Sequence, residues 1–189
     1  MGGRKGGLSL WLALKGKNVV CSDLADAQEQ AEHLHHTYGV QKLVTYQNID
    51  AMNIPYKNYF DIIIFKSIIG GIGRNNNITN QQKVFDEIYK SLKPGGKLLF
   101  AENATGSILH KFARSKFVKW GKSWRYVAPR ELEQFLSQFG KKSIKAAGVI
   151  AAFGRSEKQR NLLAIIDRFL LNHVCPDRWK YILFGIAEK

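Results

Sequence analysis

The N-terminal segment contains a glycine-rich loop and a carboxylate that together can bind a ribose-containing ligand. A predicted helix follows the loop directly, and glycines in that position let a ligand approach the backbone N–H groups of the helix N-terminus. The glycines are Gly2, Gly3, Gly6 and Gly7. Asp23 ends the next predicted strand, where its carboxylate can accept two hydrogen bonds from ribose hydroxyls. The alternative role for Asp23 is to cap the following helix.

Residue types that commonly bind metals are present but poorly placed. His33, His35 and His36 lie on a predicted polar helix face with no acid or cysteine ligand set beside them. We therefore expect a solvated helix face and no metal site. Cys21 and Cys175 lie in apolar surroundings without CxxC or Cys/His spacing, which predicts buried thiols.

Four short runs have the composition of buried β-strands. They are apolar or β-prone, and the stretches between them suit helices. This alternation predicts an α/β fold in which a parallel sheet is covered on both faces. The four runs are residues 18–21, 42–47, 61–65 and 97–101.

Glycines and capping residues mark the predicted helices. A helix at residues 8–15 is ended by Gly16, and a helix at residues 25–38 is ended by Gly39. Residues 79–82 have the spacing of a capping box and predict the start of another helix.

The last part of the chain predicts a C-terminal antiparallel hairpin. Residues 143–153 and 181–187 have the pattern of its two strands. Between them lies a predicted helix whose capping box runs from Ser156 to Gln159. Because the sequence contains no repeat, low-complexity tract or linker, we expect residues 1–189 to form one domain.

Composition and charge restrict the environment and the partners of the chain. It has 189 residues, of which 45% are hydrophobic, and this is enough for a substantial core. No apolar run is long enough to span a bilayer, and residues 1–7 lack the apolar stretch of a signal peptide, so we expect a cytoplasmic location. A net charge of +14 predicts an anionic partner: nucleic acid, an anionic membrane surface or a phosphate-bearing substrate.

Four segments resemble the class I, Rossmann-like S-adenosylmethionine-dependent methyltransferases, in that family's order and at its spacing. The segments are GGRKGGLSLWLA (2–13), CSDL (21–24), NIDAMNIPYKNYFDIIIFKSII (48–69) and LKPGGKLLFAEN (92–103). The resemblance implies a three-layer, mostly parallel fold with a C-terminal antiparallel hairpin. It also implies S-adenosylmethionine as the cofactor.

The same resemblance implies which residues bind this cofactor. The glycine loop would approach the methionine portion, Asp23 would hold the ribose, residues 50–52 would contact the adenine, and residues 66–68 would line the far wall. The implied cofactor-binding residues are Gly2, Gly3, Gly6, Gly7, Asp23, Leu24, Asp50, Ala51, Met52, Lys66, Ser67 and Ile68.

The sequence departs from the family's pattern in two places. The middle glycine of the GxGxG loop is Arg4, for which a left-handed backbone costs about 1 to 2 kcal/mol. No strand precedes the loop, although the family's first strand lies centrally in the sheet, between the second and the fourth. We therefore expect two unpaired inner edges, marginal folding and self-association, in a chain that is a truncation, has a misjudged start or obtains the strand from elsewhere.

Methyl transfer places few demands on catalytic side chains. It is an in-line displacement from an activated donor, so alignment of the acceptor can supply most of the catalysis. A hydroxyl acceptor would also use a general base. The family builds its acceptor site after the fifth strand, which makes Glu102, His110 and Tyr126 the candidates; an ordinary packing or surface role is the alternative for each.

A segment rich in basic and aromatic residues spans residues 106–126. As a helix it would be amphipathic, with most of its cations opposite an apolar side. That side would hold Leu109, Phe112, Ala113, Phe117, Trp120 and Trp124. Three interpretations remain: a lid helix packed on the domain, contact with a membrane surface, and nucleic-acid binding.

The runs at 120–136, 153–157 and 177–189 resemble methyltransferases of bacterial surface-polysaccharide and lipopolysaccharide assembly. This resemblance implies O-methylation of a sugar or of a phosphate-bearing, lipid-linked glycan acceptor, which agrees with the basic charge. An RNA methyltransferase and a catalytically impaired, cofactor-binding remnant are the alternatives.

Overall fold

The computed structural model describes residues 1–118 and 123–189. Within these residues, six strands form two sheets, and helices connect most of the strands. The strands are β1 (Val19–Asp23), β2 (Val44–Asn48), β3 (Phe60–Lys66), β4 (Leu92–Asn103), β5 (Lys141–Ala147) and β6 (Ile182–Glu188). The helices are α1 (Gly7–Ala13), α2 (Ala27–Thr37), α3 (Ile69–Ile72), α4 (Ile78–Ser91), α5 (Ile108–Phe117), α6 (Pro129–Phe135), α7 (Glu157–Ile166) and α8 (Asn172–Val174).

The strand order is that of the predicted α/β fold. β1 pairs in parallel with β2, and β3 pairs in parallel with β4. β6 then lies antiparallel between β4 and β5. The predicted combination of parallel strands with a C-terminal antiparallel pair is therefore confirmed. β5 and β6 are joined by a long helical connection and not by a tight hairpin turn.

A cleft separates the two sheets at the edges of β1 and β3. No strand lies between these edges in the described parts of the chain, as the sequence predicted. The cleft has a volume of about 730 Å³ and is lined by Val20, Ile62 and other residues of the two edges. At its end, Met1 donates a hydrogen bond to the Ile64 carbonyl (3.0 Å) and Gly3 donates one to the Ser22 carbonyl (2.8 Å).

The hydrophobic core is divided in the same way as the sheet. The larger cluster lies between the four-stranded sheet and helices α4 and α6, with Phe65, Phe85 and Leu132 at 1% exposure each. The smaller cluster, under β1 and β2, contains Cys21 and Ala31. Since the two clusters are separate, contacts near residues 1–3 and along the cleft join the two halves of the molecule.

Several predicted boundaries were wrong in informative ways. The capping box at residues 79–82 does not start α4: Asn77 is its cap and accepts a hydrogen bond from the Asn80 N–H (3.0 Å). The predicted strand at 143–153 ends at Ala147, since residues 151–153 form a 3₁₀ turn. Ser156 does cap α7, as predicted.

The open edges generate a prediction about self-association. An unpaired strand edge is a template for pairing with another chain, and an edge lysine opposes such pairing. Ile62 lies on the β3 edge and is 41% exposed, so we expect Ile62→Lys to weaken self-association about tenfold. Sedimentation velocity over a concentration series measures this. Ile78→Lys is the control, because Ile78 is 42% exposed at the start of α4. Equal association of both variants would contradict edge pairing.

Candidate functional site

The implied cofactor residues converge at the carboxyl ends of three parallel strands. β1 ends at Asp23, whose carbonyl accepts a hydrogen bond from the Ile49 N–H just after β2 (2.8 Å). β3 ends at Lys66, and the following Ser67 N–H bonds to the Ala101 carbonyl of β4 (2.9 Å). Ligands of open α/β sheets bind at this end of the strands. The fold thus brings together segments that are distant in the sequence.

Gly2, Gly3 and Gly6 lie against the turn after β3, strand β1 and helix α2, without space for side chains, whereas a Cβ atom on Gly7 would meet no neighbour. A Cβ atom on Gly2 would overlap the Ile68 side chain, which follows β3. A Cβ atom on Gly6 would come within 2.8 Å of the His35 ring on α2, and Gly6 also has a positive φ of 77°. The glycines therefore serve internal packing as well as any approach of a ligand.

His35 was wrongly predicted to be on a solvated face. It is fully buried, and its Nδ1 lies 2.8 Å from the Tyr46 hydroxyl. Its Nε2 lies 3.0 Å from the Ser9 hydroxyl and 3.1 Å from the Gly6 carbonyl. His35 thus holds the glycine loop and the start of α1 against α2.

The sequence carried a signal for this buried position. Ala27, Ala31 and His35 follow one another at intervals of four residues, and all three are buried along one side of α2. Small residues at this spacing indicate the packed face of a helix. His33 and His36 are exposed, so for these two the predicted solvated face is confirmed. The described residues contain no group of three His, Cys, Asp or Glu side chains arranged to hold a metal.

Asp23 binds the loop and does not cap the next helix. Its Oδ2 accepts a hydrogen bond from the Arg4 N–H (2.9 Å), and its Oδ1 accepts one from the Leu24 N–H (2.8 Å). At the start of α2, the Ala27 N–H donates instead to the Asn48 side chain (3.1 Å). The capping alternative for Asp23 is therefore wrong. Each carboxylate oxygen keeps a lone pair for a ribose hydroxyl.

Arg4 adopts the left-handed backbone predicted for the middle of the loop, with φ of 41°. Its side chain is exposed, so it does not compete with the packing of the glycines. The hydrogen bond from its N–H to the Asp23 carboxylate is charge-assisted and offsets the cost of this conformation.

The remaining implied cofactor residues form two turns beside this loop. Asp50 accepts a hydrogen bond from the Met52 N–H through Oδ1 (2.8 Å), which shapes the turn after β2. Ala51 and Met52 are partly buried against the larger core. In the second turn, Ser67 has a positive φ of 54° between Lys66 and Ile68. Leu24 is largely exposed beside Asp23.

Glu102, a buried residue of β4, stabilises the turn at residues 66–68. It is 2% exposed, and its Oε2 accepts a hydrogen bond from the Ile69 N–H at the start of α3 (2.8 Å). Its Oε1 accepts one from the Asn103 N–H (2.8 Å). Burial raises the pKa of this carboxyl group, and the backbone N–H donors oppose that rise. This geometry positions Ile68, while the role of Glu102 as a base stays a prediction.

His110 is the residue of α5 whose side chain is buried against the domain. Its Nδ1 accepts a hydrogen bond from the Ser107 N–H (3.2 Å), and its ring packs against Phe153 and Tyr181. Burial, followed by the Arg114 cation, lowers its pKa, which favours the neutral imidazole that a base requires. However, the side chain is only 2% exposed, so an acceptor does not reach it in this arrangement.

Tyr126, a candidate for the acceptor site, lies beneath a guanidinium. The Arg114 side chain stacks over its ring at 3.9 Å from the ring centre. Burial raises the pKa of the Tyr126 phenol, so the hydroxyl is protonated at neutral pH and can orient an acceptor. The neighbouring Arg125 N–H bonds to the Gly70 carbonyl of α3 (3.0 Å), which places Tyr126 near the turn at residues 66–68.

The predicted lid segment is only partly packed on the domain. Trp124 lies against Gly70 and Gly71. Phe112 and Phe117 of α5 are exposed to 58% and 74%, which does not fit the lid interpretation for these two residues. Trp120, on the predicted apolar side of the segment, lies outside the described residues.

Comparison with known families places this site in context. Residues 1–100 match the family model described as a methyltransferase domain, and these residues include the loop, Asp23 and both turns. A comparison with curated proteins found no significant match.

Solved structures share the fold at low sequence identity. Phosphoethanolamine N-methyltransferase 2 from Haemonchus contortus, in complex with S-adenosylmethionine, is 21% identical, with a TM-score of 0.66 over 100% of this chain and 47% of that chain. An S-adenosylmethionine-dependent methyltransferase from Methanosarcina mazei is 17% identical, with a TM-score of 0.65 over 100% of this chain and 89% of that chain. The cyclase SpnF is 16% identical, with a TM-score of 0.62 over 98% of this chain and 71% of that chain.

The first prediction from this site concerns Asp23. We expect Asp23→Ala to weaken S-adenosylmethionine binding about 10- to 100-fold, because hydrogen bonds to a charged group contribute about 1.5 to 3 kcal/mol. Isothermal titration calorimetry measures the change. Asp26→Asn is the control, since Asp26 is nearby and exposed and its side chain caps nothing. An unchanged Kd for Asp23→Ala, with the fold intact, would remove Asp23 from the ribose role.

The second prediction concerns the buried histidine. We expect His35→Ala to lower the free energy of unfolding by about 2 to 4 kcal/mol, because it leaves a cavity and removes the hydrogen-bond partner of the partly buried Tyr46 hydroxyl. Urea denaturation measures this. On the same helix, His36→Ala should change stability by less than about 0.5 kcal/mol, since His36 is exposed. Similar losses in both variants would show that His35 does not anchor the loop.

Proposed function

The chain belongs to the family of S-adenosylmethionine-dependent methyltransferases, and we propose that it O-methylates a sugar or a phosphate-bearing, lipid-linked glycan. The cofactor would supply a methyl group on a positively charged sulfur, which needs little further activation. The residues of this chain would bind and orient the two substrates for in-line transfer. We assign the cofactor to the glycine loop, Asp23, residues 50–52 and residues 66–68.

The observation that carries the proposed acceptor is the environment of Arg114. Its Nη1 donates hydrogen bonds to the carbonyls of Ala104 (2.6 Å) and Thr105 (3.1 Å), directly after β4. In the described parts of the chain, no carboxylate pairs with this guanidinium, and Nε and Nη2 have no hydrogen-bond partner. Burial lowers the pKa of Arg114, although the group stays charged.

A half-buried guanidinium without an acidic partner favours an anionic ligand. Part of its desolvation cost is already met in the folded protein, so a phosphate group gains strong, charge-assisted hydrogen bonds. Tyr126 lies directly beneath it and can donate to the same acceptor. The resemblance to polysaccharide methyltransferases and the net charge of +14 support the same acceptor class. A structural neighbour named for phosphoethanolamine is consistent with such an acceptor on this fold.

Neither buried candidate base is required by this scheme. Glu102 and His110 are each 2% exposed and have packing and capping partners. A hydroxyl acceptor would release its proton to solvent water as its oxygen accepts the methyl group, so alignment of the acceptor between Tyr126 and the cofactor can supply most of the rate enhancement.

Acceptor profiling with methyl-labelled S-adenosylmethionine tests the proposed function. We expect label to enter phosphate-bearing sugars and nucleotide-linked sugars, with much weaker labelling of the same sugars without phosphate. Label in RNA alone would instead support the RNA alternative. Cofactor binding without transfer to any acceptor would support the cofactor-binding remnant.

A substitution at Arg114 separates acceptor binding from cofactor binding. We expect Arg114→Gln to raise the KM for the phosphate-bearing acceptor about 10- to 100-fold and to leave the Kd for S-adenosylmethionine unchanged. Arg130→Gln removes the same charge from the exposed face of α6 and should change neither constant. Equal KM values for Arg114→Gln and the wild type would refute the role of Arg114.

A further inference from the structure

Exposed apolar side chains are concentrated on two helical segments near the C-terminal sheet edge. One is α5; the other runs through α7, a π-helical turn at Asp167–Leu171, and α8, and is called the C-terminal rod below. More than half of each of the following side chains is exposed: Ile108, Leu109, Phe112 and Phe117 on α5, and Leu162, Ile165, Phe169, Leu170 and Val174 on the rod. Single exposed apolar residues are common, but such clusters indicate an interaction surface.

The C-terminal rod is attached to the protein by its polar side. The Asp167 carboxylate points inward and accepts hydrogen bonds from the N–H groups of Val149, Ile150 and Ala151 (2.9 to 3.1 Å). One turn later, the Asn172 side chain accepts a hydrogen bond from the Gly148 N–H (2.8 Å). An amphipathic helix of a globular protein ordinarily packs its apolar face inward. Here that orientation is reversed.

The apolar stripe of the rod therefore faces away from the domain. At about 100° per residue, Leu162, Ile165 and Phe169 fall on one side of the helix. The inward contacts of Asp167 and Asn172 fix the rotation of the rod, so these side chains cannot turn into the core without breaking the contacts.

The two helical segments are attached to the same loop. On α5, the His110 ring packs against Phe153 at 4.7 Å between ring centres. On the rod, Asp167 binds residues 149–151, and Arg160 bonds to the Gly154 carbonyl (2.9 Å). Residues 148–154 thus contact both segments, so α5 and the rod are attached to the domain through the same loop.

Basic residues accompany the apolar side chains. Lys111 and Lys116 are exposed on α5, which has no acidic residue. On the rod, Lys158, Arg160 and Arg168 are exposed; of its two acids, Glu157 is exposed in the first turn and Asp167 is turned inward. Exposed aliphatic and phenyl groups flanked by lysine and arginine are typical of helices that lie in the interface of an anionic bilayer. No described helix is long and apolar enough to cross a membrane.

We propose that α5 and the C-terminal rod dock the protein onto the surface of an anionic lipid bilayer. The apolar side chains enter the interface between headgroups and acyl chains, and the basic residues bind anionic headgroups. Arg114 lies on α5, so docking brings the proposed acceptor site next to the membrane. The inference extends the proposed function to the location of a lipid-linked acceptor, but its test does not depend on the identity of the acceptor.

Vesicle co-sedimentation of the full chain tests the proposal. We expect binding to phosphatidylcholine vesicles that contain phosphatidylglycerol, and little binding to phosphatidylcholine alone. Leu162→Ser with Phe169→Ser should weaken binding about tenfold at any salt concentration. Lys158→Glu with Arg168→Glu should weaken it mainly at low salt, since salt screens charge interactions. The control is Trp11→Ser with Leu14→Ser, which removes two exposed apolar side chains, one from α1 and one from the residue that follows it, and should bind like the wild type.

Three outcomes would overturn the proposal. The wild type would fail to bind anionic vesicles at low salt, or the Leu162/Phe169 variant would bind as well as the wild type, or both double-serine variants would lose binding equally. Sedimentation equilibrium without vesicles distinguishes a further case: a dimer that the Leu162/Phe169 variant abolishes, with no vesicle binding, would assign the surface to a second copy of this chain. Circular dichroism checks that each variant is folded.

Discussion

The hydrogen bonds donated by residues 1–4 hold together a molecule whose sheet is divided. Met1 bonds to β3, Gly3 bonds to β1, and Arg4 bonds to the Asp23 carboxylate at the end of β1. The two core clusters are separate, so this short stretch, together with Val20 and Ile49 in contact with the larger cluster, links the halves where the cofactor residues meet. The geometry of the site and the stability of the fold therefore depend in part on the same hydrogen bonds.

The glycine loop illustrates how one feature can satisfy packing and ligand binding together. Gly2 and Gly6 lack side chains because Ile68 and His35 occupy the adjacent space. Asp23 fixes the loop through the Arg4 N–H while each of its oxygens keeps a free lone pair. A carboxylate that already holds the loop in place loses little further freedom when a ribose binds, which favours affinity.

The region that we propose binds the acceptor contains an unpaired cation and exposed apolar side chains. Arg114 is half-buried with carbonyl and aromatic partners but no carboxylate among the described residues, and the rod at residues 157–174 presents apolar side chains outward. Both features are unfavourable in an isolated protein, because each leaves a group without its best partner. An anionic acceptor at a membrane surface would supply the missing partners of both. The fold by itself does not decide this, since the same architecture also supports a cyclase.

The sequence by itself determined the fold class, the cofactor and the order of the segments that form its site. Glycines before a helix, an acid at a strand end and buried apolar runs are local patterns, and their physical causes act within a few residues. The unpaired edges of β1 and β3 in the described residues agree with the sequence prediction. Even so, local pattern misplaced the cap of α4, where the Asn77 side chain accepts the hydrogen bond, and the end of β5, after which the distant side chains of Asp167 and Asn172 bind the backbone N–H groups.

Only the tertiary structure decided which polar residues are buried and which apolar residues are exposed. His35 is polar but buried, and Phe169 is apolar but exposed, because burial depends on which residues lie nearby in space. The partners of His35 come from α1 and β2, and the orientation of Phe169 follows from the contacts of Asp167 with residues 149–151. The four-residue spacing of Ala27, Ala31 and His35 marks a packed helix face, but the residues that contact each buried group lie far away in the sequence, so no local pattern identifies them.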